Sequence, residues 1–248
     1  MSEQRLETRV RDLADSIEEA LRPQTFGHGF AARTPGTEQA RSITLPAWFI
    51  DRCRRAYLSV PYDSTSRVLG VTSANHGDGK TSVAIGIATA MAADTQEATL
   101  LVECDLERPS FYHQFGLTSK GGLSEWLDGM APLRVARSAY LPNLVVVPSG
   151  APHSDPARLL YQLTESNMFA ELKPRFRNIV FDLPPSLDIA YSSLASKLAD
   201  HLLLVVRYGV TLVEDIQKVI YLLGPERVSG IVLNATEYRT PGWLRRLL

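Results

Sequence analysis

A doubly wound, mostly parallel α/β sheet with helices on both faces is the fold the sequence predicts, and three observations predict it. Apolar runs recur from residue 68 to residue 235, near-continuous in Val, Ile and Leu rather than alternating, as strands covered on both faces read. Helical patterns separate them. The first run empties into a turn holding Gly77, Gly79, Lys80 and Thr81 and then an Ala-rich helix, the strand–turn–helix order of a phosphate-binding loop. In open sheets of this kind ligands sit at the carboxyl ends of the strands.

Along the chain, residues 1–22 read as a charged amphipathic helix, with Leu6, Val10, Leu13, Ile17 and Leu21 at three- or four-residue spacing. The Pro, Gly, Thr and Ser that follow show no periodicity, so the stretch ending near Leu45 reads as a flexible linker. AWFIDRCRRAYLSV (47–60) reads as a second helix, closed by Pro61. Strands are expected at 68–73, 99–104, 144–149, 179–183, 201–206 and 229–235, and helices at about 80–93, 156–172, 186–198 and 211–223. The organisation is therefore a helix and linker over 1–45, a nucleotide-binding domain over 46–236, and a tail over 237–248.

Composition removes several classes. With 248 residues and 45% hydrophobic content, the chain builds its core without staples. Cys53 and Cys104 are too few for a disulfide framework; with no signal peptide, the expected compartment is a reducing, cytoplasmic one. No apolar run approaches the roughly 20 residues that span a bilayer. Lys+Arg 26 against Asp+Glu 27 offers nucleic acid no general attraction.

The turn after the first strand reads Ser73-Ala74-Asn75-His76-Gly77-Asp78-Gly79-Lys80-Thr81, with Ala74 where a Walker A loop usually has its first glycine. Glycines let backbone N–H groups face a phosphate, and the helix N-terminus adds about half a positive charge. The candidate nucleotide-binding residues are Asn75, His76, Gly77, Asp78, Gly79, Lys80, Thr81 and Ser82. Lys80 would neutralise β/γ-phosphate charge and the Thr81 hydroxyl would ligate Mg²⁺. Carboxylates should end neighbouring strands. Period-two alternation puts Glu103 and Asp105 on one side of the strand end, and Asp182 closes a hydrophobic run in the Walker B manner.

The segments TSANHGDGKTSVA, LLVECDLERPSFYHQFGL, GGLSEWLDG, LPNLVVVPSGAPHSDPARLL, FDLPP, LADHLLLVVRYGVT and GIVLNAT, running from about Trp48 to Thr236, resemble in order and spacing the cytoplasmic kinase domain of the bacterial tyrosine kinases of capsule and exopolysaccharide synthesis. The resemblance implies ATP and Mg²⁺ as cofactors and a P-loop fold of the MinD/ParA type. It implies Lys80 and Thr81 on phosphate and metal, and Asp105 and Asp182 serving the metal. Glu103 stands where the family's first Walker A′ aspartate activates the acceptor, so Lys80, Glu103 and Asp105 form the expected catalytic set. Asn234 matches a position that meets adenine. The partitioning ATPases carry an extra lysine where this chain has Asn75. A separate transmembrane polysaccharide co-polymerase is the implied activator, recruiting the chain to the inner face of the membrane, and a homo-oligomer is the implied assembly.

Three departures stand beside the resemblance. Glu103 replaces an aspartate, moving the carboxylate outward by a methylene. The oligomerisation helix pattern Glu-x-x-Arg-x-x-Arg reads Asp51-x-x-Arg54-x-x-Tyr57 here. In place of a C-terminal tyrosine cluster the tail carries Tyr238, followed by WLRRLL, which suits packing against the domain or docking on a membrane or partner. Two functions follow: an ATP-dependent tyrosine kinase, or a nucleotide-dependent switch for the polysaccharide export machinery that phosphorylates nothing.

Overall fold

The computed structural model describes residues 37–40, 43, 45–62, 66–117, 121–138, 140–166 and 171–235. The apolar runs become strands β2 (Arg67–Ser73), β3 (Thr99–Glu103), β5 (Leu144–Val147), β6 (Asn178–Asp182), β7 (His201–Arg207) and β8 (Val228–Asn234). Two short strands join them: β1 (Thr37–Ala40) and β4 (Val135–Ser138). Together they form one sheet in the order β1-β4-β5-β3-β6-β2-β7-β8, parallel throughout except between β4 and β5.

The helices are α1 (Ala47–Leu58), α2 (Lys80–Thr95), α3 (Phe111–Phe115), α4 (Leu123–Leu127), α5 (Pro156–Glu165), α6 (Ser192–Ser196) and α7 (Val213–Leu223). They cover both faces of the sheet, and the core divides accordingly. On one face Leu69, Val71, Leu101 and Val180 pack against Val83, Ile87 and Met91 of α2, with Cys53 and Tyr57 of α1 outside them. On the other face Leu100, Val102, Ile179 and Leu204 meet Trp126, Leu159, Leu163 and Val219 from α4, α5 and α7. Helix α2 is apolar on nearly every side because it lies between the sheet and α1. Gly86 makes that sandwich possible: a Cβ there would meet Cys53 Sγ at 2.5 Å and Phe49 Cε1 at 2.8 Å.

Residues 37–40, which composition places in the linker, are instead an edge strand beside β4, and Ile43 and Leu45 pack against the core. Polar TEQA gives no strand signal, because the partner, 98 residues away at Val135, supplies the hydrogen bonds. The helix expected over 186–198 shrinks to Ser192–Ser196. Pro184 and Pro185 favour extended backbone, and the chain beyond them is captured by β2 and its turn: Ser186 N–H donates to Ser73 O at 2.8 Å and Leu187 N–H to Ala74 O at 3.1 Å. Helix α5 starts as expected, with Pro156 at its first position and Asp155 accepting from Arg158 N–H. No helix among the described residues is long and apolar enough to cross a membrane. The amphipathic pattern at 1–22 and the tail from residue 236, including Tyr238, lie outside the described residues.

Candidate functional site: the P-loop and its carboxylates

Strand β2, between β6 and β7, delivers its last residue, Ser73, into the loop that opens α2. Gly77 and Gly79 hold φ of +84° and +95°, a region L side chains rarely adopt. Gly79 is doubly constrained, since a Cβ would stand 2.0 Å from Asn234 Nδ2. The first intrahelical bond is Val83 N–H to Gly79 O, so the N–H groups of Lys80, Thr81 and Ser82 precede it and are donors for an anion.

Two of the expected phosphate-loop residues spend their amides on carboxylates, one inside the loop and one on the segment after β6. Asn75 N–H donates to Asp78 Oδ2 at 3.0 Å, and His76 N–H to Asp188 Oδ2 at 3.1 Å. Asp78 is buried and also accepts from the Thr211 hydroxyl at 3.0 Å. Asn234, matched to adenine by resemblance, donates Nδ2 to Asp78 O at 2.9 Å and so braces the loop from the end of β8. Ser82 is exposed.

The acids arrive on adjacent strand ends, because Glu103 and Asp182 are register partners across β3 and β6. Lys80 Nζ lies 2.9 Å from Asp105 Oδ2 and 3.5 Å from Asp182 Oδ1. Burial works against the ammonium charge, but Asp182 and Asp105 outweigh it and hold the Lys80 pKa above its ordinary value. Asp182 is fully buried. Lys80 Nζ faces its Oδ1 at 3.5 Å and the Thr81 hydroxyl is near enough to lower its pKa, but among the described residues neither oxygen has a partner at ordinary hydrogen-bond geometry. Burial pushes its pKa up to about 6, against the pull of Lys80. A buried carboxylate with spare acceptor capacity, beside Asp105 and the Thr81 hydroxyl, fits a hydrated divalent cation. No three His, Cys, Asp or Glu side chains among the described residues form a metal cage. Two carboxylates and a hydroxyl are a donor set that Mg²⁺ accepts, since it keeps several waters and takes phosphate oxygens alongside one or two carboxylates.

Glu103 lies close enough to Lys80 and Asp182 to act on their charges, but its own oxygens are taken. Its carboxylate is fully buried and filled: Oε1 accepts from Ser110 N–H, Ser110 Oγ and Phe111 N–H, and Oε2 from Ser149 N–H at 3.1 Å and Ser149 Oγ at 2.9 Å. Burial raises its pKa, and these donors oppose the rise. The longer side chain ties the β3–α3 loop to the segment after β5. Asp105, past the strand end, goes to Lys80 instead.

Sequence reasoning missed the residues that close the rim. Three contacts link three loops in a ring: Lys80 to Asp105, Tyr191 Oη to Glu107 Oε2 at 3.1 Å, and His76 N–H to Asp188. Asp188, Tyr191 and Thr211 carry no local pattern; they matter because their loops end parallel strands beside β2.

No family model matches the chain. It is 32% identical over 172 residues to the tyrosine-protein kinase CpsD of Streptococcus pneumoniae, covering 68% of this chain and 75% of that protein. It is 25% identical over 168 residues to the tyrosine-protein kinase Ptk of Acinetobacter johnsonii, and spans 66% of itself but only 23% of that protein's length. Among solved structures it resembles the VpsO kinase domain, with 27% identity, a TM-score of 0.66, and coverage of 77% of this chain and 97% of that one. The fold and site define a P-loop nucleotide-binding protein. The chain belongs to the bacterial tyrosine kinase family.

Proposed function

We propose that this chain binds Mg²⁺-ATP on the loop at 73–81 and transfers the γ-phosphoryl group to tyrosine, in the synthesis or export of a capsular or exocellular polysaccharide, working with a membrane-bound activator. One observation carries the reading: Lys80, Asp105 and Asp182 converge, buried, where β2, β3 and β6 end, with the Lys80 ammonium shared between the two carboxylates. Bound Mg²⁺ would neutralise charge on the phosphate oxygens. The Lys80 ammonium is positioned to follow the β/γ-phosphates, the free amides of Lys80–Ser82 to receive phosphate oxygens, and Asp105 and Asp182 to orient metal-bound water. Glu103 or Asp105 would take an acceptor's proton, and Asp105 is favoured because the Glu103 oxygens already accept from Ser110, Phe111 and Ser149. Incubation with radiolabelled ATP and a cytoplasmic fragment of an activator is expected to yield phosphotyrosine; no label, under conditions where CpsD labels, would count against transfer.

A second reading has its own observation. The carboxylate at the acceptor-activating position, Glu103, is committed to structural hydrogen bonds. If ATP serves as a switch, nucleotide occupancy reshapes a docking surface without chemistry. Exchange of ATP for ADP then changes affinity for the polysaccharide-export partner; equal affinities would remove this reading.

A further inference from the structure

We propose that His153, anchored by Asp128, is a positioning residue for the nucleotide site and sets the Asp105 carboxylate toward Lys80 and Mg²⁺. The inference rests on the reading that the loop at 73–81 holds MgATP, and it names what orients one of that site's carboxylates. Asp105 begins a tight turn: its Oδ1 accepts from Arg108 N–H at 3.1 Å, which leaves Oδ2 for Lys80 at 2.9 Å. Where that carboxylate points therefore depends on how the turn is held. Inside the turn, the Leu106 side chain is fully buried and the Leu106 carbonyl accepts from His153 N–H at 2.9 Å.

The partner segment, residues 149–155 between β5 and α5, is fixed by three acids. Glu103 accepts from Ser149 N–H, Glu125 from Ala151 N–H, and Asp128 from the His153 ring. The ring uses both nitrogens. Nδ1 accepts from Asp155 N–H at 2.9 Å, so Nε2 carries the proton and donates to Asp128 Oδ2 at 2.8 Å. Asp128, at the end of α4, is held below its ordinary pKa by Arg158 first, against burial, and then by His153, so it stays a charged acceptor. The pair is largely shielded, with side-chain exposures of 17% for His153 and 12% for Asp128. Ser149 and Ala151 give their amides to the acids themselves, whereas His153 is held by its ring, which frees its amide for Leu106. A side chain fixed at both ends that delivers a donor to the turn carrying a metal-facing carboxylate has the role of an outer partner at a metal site.

The test measures binding of a fluorescent ATP analogue to the full chain, in EDTA and across a Mg²⁺ titration, with the Tm of each variant recorded. His153→Ala keeps the backbone amide but loses the ring's anchor. Outer partners of this kind are worth about tenfold or more in metal affinity, so the Mg²⁺ needed for half-maximal binding should rise about tenfold. Binding in EDTA, which reads the loop amides and Lys80, should be unchanged. His153→Gln can place an amide oxygen on Asp155 N–H and an amide N–H on Asp128, and should restore most of the Mg²⁺ response. Asp128→Asn offers one oxygen where His153 and Arg158 use two, and should shift the Mg²⁺ requirement the same way if His153→Ala fails to fold. A variant with a lower Tm and a wild-type Mg²⁺ requirement overturns the proposal, since the cluster then only joins α4 to α5. Equal losses with and without Mg²⁺ also overturn it, by placing the damage in the loop at 73–81. Both results leave the MgATP reading standing; wild-type protein that binds no analogue in Mg²⁺ overturns both.

Discussion

Lys80 and Asp105 are joined at 2.9 Å across two loops that meet only because β2 and β3 flank β6. The ion pair is nearly dry, with side-chain exposures of 10% and 4%. Its ammonium also serves Asp182, so a single cation balances two strand-end acids that would otherwise repel. A phosphate entering the loop would compete with both carboxylates for that ammonium.

Replacing Lys80 with alanine removes the charge contact to the transferring phosphoryl group. Preorganised contacts of this type are worth on the order of 3 kcal/mol, so Lys80→Ala should lower ATP turnover by a hundredfold or more. Release of phosphate or ADP from purified protein measures it, and undiminished turnover would refute the site.

Glu103→Ala should act on stability before catalysis. It leaves the donors of Ser110, Phe111 and Ser149 without their acceptor in a buried place, and the loss is expected to be about 3 kcal/mol or more. Urea unfolding checks this. Glu103→Asp, one methylene shorter, should reach one of the two loops and recover only part of the stability.

Gly79→Ala should abolish nucleotide binding with little change in the rest of the fold. Its φ of +95° disfavours any Cβ, and Asn234 stands where that Cβ would go. The strain is about 1–3 kcal/mol, applied where the backbone must face a phosphate. Titration with a fluorescent ATP analogue reads the loss.

The contact between α1 and α2 should weaken with acid. Arg54 grips Asp94 with Nε at 2.6 Å and Nη2 at 2.8 Å, and Tyr57 Oη adds a bond at 2.8 Å. The Arg54 hydrogen bond holds the Asp94 pKa below its ordinary 3.8. A depressed carboxyl contributes stability above its unfolded pKa and loses it as pH falls through the folded value. Asp94→Asn should therefore lower the Tm at pH 7, and the difference from wild type should shrink as the pH falls below 3.8 and through the folded value. A gap that persists in acid would assign the effect to packing instead.

The same contact explains a departure in the sequence. Asp51, Arg54 and Tyr57 break the pattern of the family's oligomerisation helix, yet Arg54 meets Asp51 and Asp94, and Tyr57 meets Asp94. Arg54 and Tyr57 face an intramolecular partner on α2, with Asp51 bound to Arg54 along α1, and no reading of α1 alone reveals that partner.

By itself the sequence determined the doubly wound sheet, the helix that opens at Lys80, and the acids at strand ends, because these are written in local patterns. A strand buried on both faces must be apolar throughout, and a phosphate turn must carry glycine where φ is positive. Tertiary structure alone decided what each carboxylate does. Glu103 and Asp105 are two residues apart and chemically alike, but one is filled by donors from residues 110 and 149 while the other meets Lys80. It also decided that polar residues 37–40 extend the sheet and that Tyr191 closes the rim. A side chain's role depends on which distant donors and charges surround it, and that is a property of how strands are ordered, not of the residues beside it in the chain.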